Sequence, residues 1–317
     1  MENLGEQIQQ ALLSFRDTCN DFLHLHSVTE LNDAPSPLQF YRDFVSANRP
    51  VIIRGGVSRW PAVAKWTHSY LREKAGHLPV TVAVTPDGYA DAVKGDLFVL
   101  PEERQMLFSV FLDIMESNDD NGEIFYVQKQ NSNFTEEFAA LQADAEADVP
   151  WATTAFGRKP DAVNFWMGDG RAVTSMHRDH YENIYCVVSG QKEFILVPPT
   201  DLPWVPYGEF RAATYHRNLE TGAFDIKRGD DTVPWIPLDA ANPDYEKYPE
   251  YECVSALRCT AGAGDVLYLP SLWFHHVRQS HACIAINYWY DMEFDIKYCY
   301  YKFLESIKRV RNDVCNP

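Results

Sequence analysis

Apolar side chains return every three or four residues from 4 to 22, as Leu4, Ile8, Ala11, Leu12, Phe15, Cys19 and Phe22. That spacing covers one helical face and predicts an amphipathic N-terminal helix. Pro35 and Pro37 break the pattern, and a short helix is predicted over 38–45. The run 50–54 (PVIIR) is continuously apolar in its middle and stops at Gly55-Gly56, so it predicts a buried strand. Further on, the pattern predicts helices over 69–74 and 106–116 and strands over 80–84 and 124–128. A turn is expected at Pro86-Asp87-Gly88 and an acidic helical insert over 136–145. Period-two and short apolar runs then crowd together, predicting strands over 162–167, 173–177, 182–188, 193–197, 257–260, 265–269, 275–278 and 284–290. Between Pro198 and Pro249 the periodicity fades into a Pro-, Tyr- and Trp-rich stretch. A loop of that length inside a compact domain predicts a functional excursion such as a lid. A last helix is predicted over 293–310, with Tyr300, Phe303, Leu304, Ile307 and Val310 on one face.

Many short strands between Gly/Pro turns, with helices at both ends, predict a mainly β fold. The expected architecture is a jelly-roll or cupin-like core, a double-stranded β-helix with helices packed outside. The expected division is a helical segment 1–37, a barrel domain 38–292 with its core near 160–290, and a terminal helix 293–317.

Composition narrows the partners. A formal charge of −17 argues against nucleic acid and anionic membranes and suits a basic peptide or protein. The acidic runs 113–123 and 144–148 read as solvated surface or loops. Seven scattered cysteines with no CxxC pair predict reduced thiols, hence a cytoplasmic or nuclear protein. The start MENLGEQIQQ lacks the features of a signal or transit peptide, and no run is long enough to span a membrane.

The chemistry concentrates in 174–192, TSMHRDHYENIYCVVSGQK. On a strand, His177 and Asp179 leave the same face, and Tyr181, Asn183 and Tyr185 continue it in period two. Ile184, Cys186 and Val188 take the other face, and Ser189-Gly190 turns the chain into the next strand. A His and a carboxylate on one face are two thirds of the 2-His-1-carboxylate set that holds iron with open positions. The third ligand would come from LYLPSLWFHHV, as His275 or His276; strand alternation alone leaves that open, and leaves His180 as a rival to His177. Lys192 on the neighbouring strand could pair with a small dicarboxylate beside the metal, and Tyr126, Asn183 and Asn287 offer neutral polar contacts.

The segments PVIIRGG, WPAVAKW, NFWMGDGRAVTSMHRDHYENIYCVVSGQKEFILVPP, VLYLPSLWFHHV and CIAINYWYDM resemble the JmjC family of Fe(II)- and 2-oxoglutarate-dependent oxygenases, in its small hydroxylase branch. The likeness runs from about Leu38 to Tyr290. It implies His177, Asp179 and His275 as iron ligands and catalytic centre, with 2-oxoglutarate and O2 as co-substrates. Lys192 would hold the distal carboxylate of 2-oxoglutarate, with Thr174 and Tyr126 hydrogen-bonding it. Asn183 and Asn287 would lie by the metal and the co-substrate's other end, and Tyr185 and Trp289 would line the pocket. The implied reaction is (3S)-hydroxylation of a lysine in developmentally regulated GTP-binding proteins, a translation-factor-related class of GTPase, releasing succinate and CO2. The branch also implies a possible homodimer through terminal helices. Rival readings are a histone N-methyl-lysine demethylase, a histone-tail peptidase, and a non-catalytic cupin-like binding protein. Against the peptidase, the chain has no HExxH motif and no recognisable Ser or Cys nucleophile constellation.

Overall fold

The computed structural model describes residues 2–23, 26–117, 122–130 and 132–315. Its centre is a pair of facing antiparallel sheets between which the chain alternates. Ala162–Gly168, Tyr181–Ser189, Val266–Leu269 and Cys283–Asp291 pair in one sheet; Val173–His177, Gln191–Val197, Leu257–Gly262 and Phe274–Gln279 pair in the other. This is the expected jelly roll, and its eight strands lie within a few residues of those predicted. The first sheet is extended to nine strands by Thr29–Leu31 and Val51–Ile53 at one edge and by Ile124–Val127, Pro79–Thr85 and Glu102–Leu107 at the other.

Both faces of the larger sheet are covered, which explains its near-continuous apolar runs. On Tyr181–Ser189, the residues Ile184, Cys186 and Val188 pack outward among Phe40, Phe108 and Tyr288. Tyr185 and Val187 point inward, against Phe194, Leu196 and Val277 of the facing sheet. The turn into the next strand needs glycine. Gly190 has φ +76°, and a Cβ there would stand 2.5 Å from the Ser280 Oγ and 3.1 Å from Cys283 Cα.

Four expectations are corrected. The stretch 198–249 is no structureless lid. It contains a hairpin, Gly208–Arg217 with Phe224–Trp235, which pairs in parallel with Leu97–Leu100 to form a third sheet. Most of the hairpin's side chains are exposed or half-buried, so it lacks the apolar alternation that marks a strand in sequence. Residues 106 and 107 end the strand Glu102–Leu107, and the helix begins only at Phe108. The acidic run 144–148 is not all solvated. Asp144 is buried and accepts bonds from Lys65 Nζ (2.9 Å), Trp66 Nε1 (3.2 Å) and Tyr70 Oη (2.6 Å). The terminal helix Ile296–Cys315 shows two faces: Tyr301 and Leu304 pack onto the body, while Tyr300, Phe303 and Val310 are exposed. No described helix is long and apolar enough to cross a membrane.

Candidate active site

His177 ends the strand Val173–His177, and across the ladder its partner is His275. The register slips between Thr174 and His177, a bulge that re-aims the strand end. Asp179 lies past that end, on the crossing to the facing sheet, and not on one continuous strand face with His177 as the spacing predicts. The crossing is pinned where the Asp179 carbonyl accepts the Leu272 N–H at 2.9 Å. Leu272 itself has φ +68°, a left-handed turn unusual for leucine. Glu182 braces the adjoining Ser271, accepting from its N–H (3.0 Å) and Oγ (2.8 Å) and from Tyr268 Oη (2.7 Å). A strained turn held by a buried carboxylate thus fixes the approach to His275.

One Asp179 oxygen, Oδ2, stands 3.7 Å from His177 Nε2 and 3.7 Å from His275 Nε2. Two donors bound at about 2.1 Å to one ion can be no more than about 4.2 Å apart, so either His–Asp pair can share a metal. The Nδ1 atoms are committed elsewhere, to the carbonyls of Ser175 (2.8 Å) and Trp273 (3.1 Å). Each ring therefore carries its proton on Nδ1 and turns the Nε2 lone pair to the site, as a metal ligand requires. Burial and the neighbouring His177 push His275 down to about 4, leaving it neutral at physiological pH. His276 is opposite Ile195 in the ladder and faces away from the site; His180 sits beside Phe294 and Tyr298. Among the described residues the metal-competent cluster is His177, Asp179 and His275.

Lys192, at 1% exposure, lies on the same inner face, four residues before Leu196, which pairs with His275. Its ammonium donates to Tyr126 Oη (2.8 Å) and Gln279 Oε1 (2.5 Å), and the Tyr126 and Tyr185 rings lie 5.1 and 5.7 Å away. Among the described residues no carboxylate comes within 4.0 Å of it. A buried cation with only neutral partners is costly, and a small anion would relieve it. Thr174 pairs with Val277, which pairs with Phe194, so it shares the inner face with Lys192. Asn183 and Asn287 are bonded at 3.1 Å, and the Asn287 oxygen also accepts from Asn164 (3.2 Å) and Trp166 Nε1 (2.8 Å). Trp289 pairs with Asn183 across the sheet and stacks on Tyr181 at 5.0 Å. The predicted residues therefore converge on one interior.

Sequence reasoning missed several neighbours. Gln279 lies four residues past His275 on the same strand, a period-two signal that could have exposed it. Trp235 arrives from the unforeseen hairpin; it stacks parallel to His177 at 5.9 Å and donates to Ser175 Oγ at 3.1 Å. Nothing in its local sequence marks that role.

A jelly roll with His, Asp and His at its mouth and a buried lysine behind them defines the class: the chain belongs to the cupin-like domain family, in its JmjC group, with the family model matching residues 37–296. It is 49% identical over 306 residues to the bifunctional peptidase and (3S)-lysyl hydroxylase JMJD7 of Homo sapiens, covering 96% of each chain. It is also 38% identical to the lysine-specific demethylase JMJ32 of Arabidopsis thaliana, over 97% of this chain and 91% of the relative. JmjC domain-containing protein E of Dictyostelium discoideum is 36% identical over 93% of both.

Proposed function

We propose that this protein is an Fe(II)- and 2-oxoglutarate-dependent lysyl hydroxylase that oxidises C-3 of a lysine in a protein substrate. The observation that carries the reading is the pairing, on one inner sheet face, of a His-Asp-His cluster with a buried Lys192 that has no carboxylate within 4.0 Å among the described residues. His177, Asp179 and His275 would hold the iron through Nε2, a carboxylate oxygen and Nε2. Lys192, Tyr126 and Thr174 would receive the far carboxylate of 2-oxoglutarate, and Asn183 and Asn287 would orient groups nearer the metal. Tyr185 and Trp289 keep water out of the same space. When bound, the iron and its co-substrate supply oxidative decarboxylation to succinate and CO2, with one oxygen atom going to the target C–H bond. The choice of lysine as target is supported by the likeness to the human lysyl hydroxylase, and a GTPase segment is the substrate proposed. A second copy of the chain is proposed as a partner through the terminal helices.

The test is succinate formation from 2-oxoglutarate with Fe(II), with and without a lysine-containing GTPase peptide, followed by peptide mass. Wild type should show peptide-stimulated turnover and a gain of about 16 Da, one oxygen atom; His177→Ala and Asp179→Ala should show neither. Formaldehyde release from a methylated peptide would favour a demethylase. Cleavage that survives a chelator would favour a peptidase. Absence of turnover in iron-loaded protein would leave a binding module.

A further inference from the structure

The roles above leave unused an acidic cleft of about 570 Å³, lined among others by Asp91, Glu103, Gln128 and Lys129. Asp91 sits where the chain leaves the strand Tyr89–Ala90 of the barrel for Ala92–Lys94 of the third sheet. It makes that change of sheet in the left-handed region, with φ +54°. The conformation turns one residue out of the strand line and aims its side chain. Its carbonyl accepts the Ser175 Oγ–H at 2.7 Å, which ties it to the strand that ends in His177. Its carboxylate takes one bond, from Gln128 Nε2 at 3.3 Å, and no cationic side chain among the described residues lies within 4.0 Å. Burial pushes the carboxyl above its usual range, and Ser175, which bonds the Asp91 carbonyl, also holds His177 Nδ1 through its own carbonyl at 2.8 Å. The lysine on the cleft wall is already committed, since Lys129 pairs with Glu137 at 2.9 Å.

The geometry of the proposed reaction gives this acid a use. A lysine oxidised at C-3 presents that carbon to the metal, and its ammonium lies four bonds further on, on the order of 5 Å away. The counter-charge must therefore stand near the metal ligands without ligating, and Asp91 is linked to His177 through Ser175 yet stands outside the ligand cluster. We infer that Asp91, with Glu103 beside it on the cleft, receives the ammonium of the target lysine and selects that side chain. The inference rests on the lysyl reading above. A second cleft, which His177 itself lines, holds two other acids. Glu305 there is already paired with Arg178 at 2.9 Å, whereas Glu209 is exposed and serves as the comparison.

The test uses metal-loaded full-length protein and two peptide pools, one centred on lysine and one on norleucine, which has the same carbon chain without the charge. Hydroxylation is read by mass for wild type, Asp91→Asn, Glu103→Gln and Glu209→Gln. Asparagine tolerates the left-handed conformation and keeps an acceptor for Gln128, so the first variant retains its turn. Wild type should prefer lysine by about tenfold or more, the scale of a charge-assisted hydrogen bond. Asp91→Asn should bring the two pools within about twofold, chiefly through KM for the lysine pool; Glu103→Gln should narrow the gap partially, and Glu209→Gln should leave it. A preference that survives Asp91→Asn, or that collapses in Glu209→Gln, would overturn the inference alone. A wild type that hydroxylates neither pool would overturn the lysyl reading and the inference with it.

Discussion

An ammonium held at 1% exposure between a tyrosine and a glutamine, with no anion beside it among the described residues, is waiting for charge. Replacing Lys192 by methionine keeps its length and apolar stem while removing the charge. We expect Lys192→Met to raise KM for 2-oxoglutarate on the order of a hundredfold, the usual result of deleting one partner of a buried charge pair. The thermal shift induced by 2-oxoglutarate should vanish while the shift induced by metal remains, because the His-Asp-His donors are untouched. An unchanged KM would remove Lys192 from the co-substrate site. At this scale much was legible in advance. His177, Asp179, Lys192 and the two asparagines could be named because their spacing or their motif is local. Trp235 and Asp91 could not be read as site residues, because each acquires its role only when another strand is laid beside it, whereas Gln279 was within reach of the period-two pattern of its own strand.

Single elements carry their own chemistry. The short turn Pro199–Trp204 is gripped by the last helix, whose Lys308 donates to the Leu202 and Val205 carbonyls and whose Arg311 donates to the Pro203 carbonyl at 2.8 Å. Within it Asp201 is buried, accepts the Ser255 N–H at 2.6 Å, and is pushed up to about 6 by burial, against the pull of Arg16. An unfolded aspartate titrates near about 3.9, so the folded protein binds this proton more tightly. The stabilisation is full below the unfolded value and is lost as pH rises through about 6. Its size is roughly 3 kcal/mol. Asp201→Asn keeps an acceptor for Ser255 without a charge to bury, so it should be more stable than wild type at pH 7.5 and less distinct near pH 4.5. Urea midpoints at the two pH values decide this; an identical pH dependence in both proteins would dismiss the account. The hairpin Gly208–Arg217 with Phe224–Trp235 teaches the opposite lesson about elements. It was invisible in the apolar pattern because a backbone ladder needs no apolar alternation when few of its side chains are buried.

At the scale of the whole molecule, Ile296, Tyr300, Phe303 and Val310 are exposed along the last helix at intervals of four, three and seven residues, while Ile307 between them packs onto the body. That is the spacing of a seam between helices, and it points away from the protein's own body. We expect wild type to sediment at twice the chain mass at micromolar concentration and Phe303→Glu to sediment as a single chain. A monomeric wild type would end the proposal of pairing. The sequence by itself determined the jelly-roll class, the order of its strands and the residue types of the metal cluster, because period-two patterning and turn residues are local properties of a chain. Only the tertiary structure decided that His275 rather than His276 turns inward, that Asp179 stands at a crossing between sheets, and that Trp235 stacks on His177 while Asp91 is tied to the same strand through Ser175. Those relations depend on register and on which strands become neighbours, and a neighbour far away in sequence leaves no local trace.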